Sequence, residues 1–259
     1  MEKKKGISGS TLKMIAIVTM LIDHIGAAVL ARLLMVNGLG ELDQTNTDAI
    51  MQWLSANGAL YWMYTVMRMI GRVAFPIFCF LLVEGFLHTH DVKKYAMRLG
   101  LFALLSEIPF DLAFSSKILE FNYQNVFFTL FIGLLTMIAY RAVEEKEEWN
   151  QALKVILYIL IVAAGMALAY FLKTDYAEKG VFCIMVLYIF RKKKMWQIIA
   201  GCASFIWETP ALFGFIPIAF YNGTRGWKMK YFFYIFYPAH LLILYLLCYF
   251  MGISGCSAV

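Results

Sequence analysis

The sequence predicts an all-α, polytopic transmembrane helical bundle of about nine spans, with its amino terminus in the cytoplasm. Three observations predict it. Hydrophobic residues make up 62% of the 259 positions and charged residues 15%, against about half and about a quarter in soluble domains. Apolar runs long enough to cross a bilayer recur along the chain. Lys and Arg gather in alternate connections, as the positive-inside rule requires. The runs leave no room for a separate soluble domain, so residues 1–259 read as one domain.

Span 1 covers about 12–34, LKMIAIVTMLIDHIGAAVLARLL, with Ser10 or Thr11 as its cap. The acidic-polar loop NGLGELDQTNTDA follows. The apolar stretch 58–88 exceeds one span. It is either one tilted helix, or an interfacial segment over 58–70 followed by a span from near Gly71. Span 3 covers about 97–114, with a break expected at Pro109. Spans 4 and 5 cover 124–140 and 154–172. Span 6, over 180–190, is short and stops at RKKK. Spans 7 and 8, over 195–207 and 210–221, turn at Trp207 to Pro210, and span 9 covers 231–251. Spans 6 to 8 are marginal in length, so the count lies between eight and ten. From a cytoplasmic start, the inside segments are KKK, DVKKYAMR, RAVEEKEE, RKKK and TRGWKMK, and the outside segments hold Lys117, Lys173 and Lys179. A cleaved signal peptide is not expected, because the first apolar run is too long and has no small-residue cleavage site.

The net charge of +6 is accounted for by orientation. No folded basic domain lies outside the membrane, which excludes nucleic acid as a partner. Cys79, Cys183, Cys202 and Cys248 fall in apolar runs at no metal-ligand spacing, and no disulfide framework is visible. Hydrolase-elbow, phosphate-loop and zinc-site spacings are absent, so no metal is expected.

Ionisable groups inside apolar runs are expensive, and they mark functional sites. Asp23 and His24 stand in the middle of span 1. Lys13 lies on nearly the same stripe of that helix, three turns or roughly 16 Å from His24. Neighbouring helix positions diverge by about 100°, so Asp23 is expected to meet another helix rather than to orient His24. Glu107 and Asp111 share a helix face, where they serve as an acid–base pair, a cation site or a polar helix end. His240 follows Pro238 in FYPAHL and is read as a packing residue or as a helper to His24. Snorkelling accounts for Arg68 and Arg98. Arg72 and Glu84 read as an ion pair that fixes packing, with Arg72 also a candidate cation for a bound cofactor. A mid-bilayer imidazole can act as general base on an acceptor hydroxyl or amine, while cations at the cytoplasmic end hold a phosphorylated donor. That pairing describes acyl transfer from acyl-CoA. The same buried groups would also serve a proton- or ion-coupled transporter, and a non-catalytic assembly subunit is a third possibility.

The blocks LKMIAIVTMLIDHIG, GRVAFPIFCFLLVEGFLHT, KYAMRL, SEIPFDLAF, NVFFTL and FYPAHL, in order over about 12–247, resemble the TraX family. The resemblance implies an integral-membrane acetyltransferase of the bacterial cytoplasmic membrane, using acetyl-CoA. It implies a pilin amino terminus as acceptor in the named member, with a glycan hydroxyl as the acceptor in the wider membrane acyltransferase group. The wider group carries an Arg and a His eleven positions apart in its first span, and here the matching positions are Lys13 and His24. By this resemblance His24 is the base, and Lys13, Lys94 and Arg98 contact CoA phosphates. Beside the resemblance, Asp23, Glu107, Asp111 and His240 are candidates for orienting groups or stabilising charge.

Overall fold

The computed structural model describes residues 5–227 and 230–256. Most of the basic start, Lys228 and Met229 of the basic turn and the last three residues lie outside it. The described residues are helical, with no strand. Helix α1 (Gly9–His24) runs through a π-helical turn (Ile25–Leu30) into α2 (Ala31–Val36), so that Gly9–Val36 is one rod. Its cap is Ser8, whose hydroxyl accepts from the Thr11 amide. The expected caps, Ser10 and Thr11, lie inside the first turn. Helix α3 (Thr47–Gly71) begins inside the expected polar loop, where the Asn46 side chain caps it. The chain breaks at Arg72 and Val73 and resumes as α4 (Ala74–His88).

The long stretch therefore resolves as two helices on one bent path beside α1. Trp53 Nε1 donates to the Asn37 carbonyl at one end, Arg68 meets Asp23 midway, and Glu84 shares a cavity with Lys13 at the other end. Helix α5 (Val92–Ser115) passes through Pro109 without the expected break. It is capped by Asp91, whose carboxyl the Lys94 amide and ammonium hold below the usual carboxylate range. Then follow α6 (Val126–Glu144), α7 (Gln151–Phe171) and α8 (Ala177–Ile189). Among the described residues, five helical segments are long and apolar enough to cross a membrane: Gly9–Val36, Thr47–His88, Val126–Glu144, Gln151–Phe171 and Phe232–Phe250.

The segments expected as spans 7 and 8 differ. Helix α9 (Lys194–Ser204) has 11 residues, and a 3-10 turn (Thr209–Gly214) leads into α10 (Phe215–Ala219). At 1.5 Å per residue α9 rises roughly 16 Å, half of a hydrocarbon core of about 30 Å. Lys194 Nζ donates to the carbonyls of Ala219 and Tyr221, so the two strokes form a hairpin that enters and leaves by one end. Its tip, Glu208, reaches Arg72. Helix α11 (Lys230–Phe250) closes the bundle and packs chiefly on α5.

Basic residues mark one end. Arg141 lies over the Phe86 ring, Arg191 pairs with Glu144, and Tyr221 bridges to Ile7 beside Lys194. All lie at the amino-terminal end of α1. Lys117 and Lys173 stand at the far end, bound to Glu120 and Asn122.

Arg32, which the polar-residue reading omitted, is fully buried. Its guanidinium donates to the carbonyls of Ala28, Ala113 and Cys256 and to Ser116 Oγ. It satisfies the open carbonyls near the end of α5 and ties the tail to the rod. Arg32→Met leaves those acceptors without their donor, and a buried acceptor left unsatisfied costs about 1–3 kcal/mol. The unfolding midpoint in detergent should fall accordingly.

Candidate functional site

Two cavities meet inside the bundle. The larger, about 620 Å³, opens at the amino-terminal end of α1 and is lined there by Lys13, Glu84, Arg98 and Arg225. The smaller, about 110 Å³, holds Asp23, His24, Arg68, Arg72, Asp175 and Tyr176. Met20, Phe78 and Val126 line both, so they form the neck between a wide vestibule and a small charged chamber. His24 is in the chamber wall, one helical turn beyond Met20. The π turn begins at the next residue, and such widened turns recur at functional sites.

His24 Nδ1 lies 2.6 Å from His240 Nε2. The rings are 2° from parallel with centroids 4.9 Å apart. With a nitrogen contact that short, a separation that large puts the rings edge to edge, so the hydrogen bond lies nearly in both planes. The other His240 nitrogen, Nδ1, is 2.7 Å from the Phe236 carbonyl. A carbonyl only accepts, so His240 Nδ1 carries a proton. A neutral His240 then has its lone pair on Nε2, and His24 Nδ1 must donate to it. This leaves the lone pair of His24 on Nε2. The chain of bonds fixes the tautomer of His24 from a helix carbonyl two residues before Pro238. The sequence offered His240 as packing residue or helper, and the structure brings it to His24. Phe114 and Tyr237 stand edge-on to the His24 ring at 5.5 and 5.9 Å.

Asp23 turns away from His24, as its helical position predicts, and Oδ2 meets Arg68 Nη1 at 2.6 Å. Its Oδ1 is buried without a partner among the described residues. Arg68 is thus an inward ion pair and not a snorkelling residue. The reason is Gly71, one turn on: a Cβ there would run into the Asp23 side chain. Glycine lets α3 approach α1, and the approach delivers Arg68. The Arg68 and Gly71 spacing was the overlooked signal.

Arg72 does not join the vestibule cations. The break after α3 turns it into the chamber, where it pairs with Glu208 at 3.4 Å and donates to the Tyr176 hydroxyl. Its expected partner Glu84 lies instead beside His88 at 4.0 Å. Asp175 accepts from the Tyr123 hydroxyl at 2.8 Å. Lys94 also departs from expectation: it is exposed, pairs with Asp91 at 3.2 Å and lines neither cavity. Its neighbour Tyr95 faces the vestibule, because adjacent helix positions diverge. Lys13 lies over the Phe233 ring at 5.1 Å, and Arg98 Nε has no hydrogen-bond partner among the described residues.

Glu107 and Asp111 line neither cavity. Glu107 accepts from the amide and side chain of Asn125, and Asp111 accepts from the Glu120 amide at 2.7 Å. They fasten the link between α5 and α6, which is the polar helix end among the readings of that pair. The described residues hold no group of side chains fit to bind a metal ion.

Fold and site together define a helical membrane protein with a charged interior chamber reached through a cationic vestibule. The chain belongs to the TraX protein family, whose model matches residues 8–248. It is similar to the probable fimbrial assembly protein FimC, serogroup H1, of Dichelobacter nodosus, at 27% identity over 208 residues, covering 71% of this chain and 83% of that protein. No solved structure matches it. The hydrogen-bond chain predicts that nitrogen NMR of histidine-labelled protein finds Nδ1 protonated in both His24 and His240. A protonated Nε2 on neutral His240 would contradict it.

Proposed function

We propose that the chain is an integral-membrane acyltransferase that moves acetyl from cytosolic acetyl-CoA to an amine or hydroxyl acceptor. One observation carries this reading: His24 lines the chamber one turn beyond the neck, and the bonds of Nδ1 leave the lone pair on Nε2, which has no hydrogen bond among the described residues. Lys13 and Arg98 hold donor phosphates at the vestibule mouth, and the pantetheine arm passes the apolar neck. The acceptor approaches through the chamber. His24 Nε2 takes its proton as it attacks the thioester carbon, and Nδ1–H keeps its bond to His240. The C–S bond breaks, and the imidazolium proton passes to the departing thiolate. A chamber of about 110 Å³ fits an acetyl group and the reacting end of an acceptor, which argues for a short acyl chain. The name of the FimC relative favours a fimbrial or pilin subunit as acceptor, with a glycan hydroxyl as the second choice.

The chain is a multi-pass protein of the bacterial cytoplasmic membrane in this reading. It makes seven passages and one re-entrant hairpin. This count keeps the orientation that nine spans would give, because the hairpin returns to its own side. The basic end faces the cytoplasm. Cysteines introduced at Glu147 and Asp43 test it. A membrane-impermeant maleimide should label the Asp43 position in intact cells, and the Glu147 position only after the membrane is opened.

Purified protein offered radiolabelled acetyl-CoA should transfer label or release CoA. His24→Ala should lower that rate by about 10²–10⁴-fold, the usual worth of a general base. Absence of CoA binding by a chain shown to be folded would overturn the reading. The transporter alternative instead requires Asp23-dependent proton flux in proteoliposomes without CoA turnover.

A further inference from the structure

Loop 222–227, between α10 and α11, is bound to the start of α1 by a ladder of main-chain bonds. Asn222 N donates to the Ile7 carbonyl, Gly9 N to Thr224 and Ser10 N to Arg225, at 3.0, 2.7 and 3.0 Å. Trp227 N donates to Ser10 Oγ at 3.1 Å. Gly226 has φ +71, and a Cβ there would strike the Ser8 and Ser10 hydroxyls, so glycine is required by both conformation and space. The turn is preorganised, and it sets the Arg225 and Trp227 side chains in the vestibule wall.

Three basic side chains, Lys13, Arg98 and Arg225, then line one largely apolar cavity, and Glu84 is the one carboxylate among the described lining residues. Lys13 from the first turns of α1 and Arg225 from the turn put like charge on the wall of the same cavity. Like charges held together beside low-dielectric walls are costly without an anion between them, and they attract one strongly. Trp227, 76% exposed at the mouth, offers a flat apolar face beside that charge. Aromatic faces of this kind stack on nucleobases.

We propose that the 222–227 turn is the nucleotide-recognition element of the vestibule: Arg225 contacts the phosphates of an adenine nucleotide, and Trp227 stacks on its base. The proposal deepens the acetyl-CoA reading and rests on it for the identity of the donor. Neither residue belongs to the motif blocks that suggested the donor.

Calorimetry on the full chain in detergent, with CoA, adenosine 3′,5′-bisphosphate and inorganic pyrophosphate as probes, tests it. Arg225→Gln should raise Kd for CoA and for the bisphosphate about tenfold, the worth of one charged hydrogen bond. Arg225→Lys should recover part of the loss. Trp227→Ala should weaken the bisphosphate and leave pyrophosphate unchanged. Bisphosphate affinity unaltered in Arg225→Gln, with an unaltered melting temperature, would overturn the proposal. So would a dependence on Arg225 seen for phosphatidylglycerol in nanodiscs and not for the nucleotide, since the phosphate would then be a lipid headgroup. The bisphosphate has no thioester and needs no His24. If it binds through Arg225 while no acetyl transfer is found, the turn stands and the transferase reading falls. If transfer proceeds with unaltered KM for acetyl-CoA in Arg225→Gln, the turn falls and the transferase reading stands.

Discussion

Two imidazoles meet edge to edge where α1 and α11 cross in an apolar bundle. Of their four nitrogens, three are committed by that contact and by the Phe236 carbonyl. Away from water, each polar atom needs a partner or a purpose. The fourth nitrogen, His24 Nε2, is the one the bundle leaves without an assigned bond. Three features shape the interior around it. The π turn widens α1 just beyond it, Gly71 brings α3 close, and the short hairpin carries Glu208 to Arg72.

The charges around it divide the interior by kind. The chamber's arginines are paired at contact, Arg68 with Asp23 of the lining and Arg72 with Glu208 at the hairpin tip. Mutual pairing makes burial tolerable there. The vestibule holds like charges with almost no counter-ion. A paired set fixes helices, while an unpaired set invites a ligand. The two arrangements, joined at Met20, Phe78 and Val126, suit a large anionic donor on one side and a small reacting group on the other.

Much of this was legible in the sequence. Apolar runs and the spread of Lys and Arg gave the helical bundle and the ends of most of its helices. Depth and adjacency pointed to His24, and the angular offset sent Asp23 to another helix. What hydropathy does not encode is where a helix stops short. Residues 195–221 turn at Trp207 to Pro210 as the sequence suggests, yet the strokes on either side are an 11-residue helix and a short 3-10 and α segment instead of two marginal spans. Charge type alone also misled. Lys94 and Arg72 were grouped with Lys13 and Arg98, but one helical position turns Lys94 outward and one break turns Arg72 into the chamber. Glu107 and Asp111 read equally well as chemistry or as anchors, and only the link after α5 decides that they accept its amides. Arg32 went unnoticed because its partners are carbonyls brought in from two distant segments.

The re-entrant hairpin also bears on how the protein is built. Its strokes are too short for the bilayer alone to hold, and their walls are α4 and α8. The hairpin is held in place by those walls, and it packs there only where they are present. Since its tip brings Glu208 to Arg72, the interior is electrically complete only with the hairpin seated. A chain stalled before α9 would carry that guanidinium at membrane depth without its carboxylate, which is a state a quality-control protease could read.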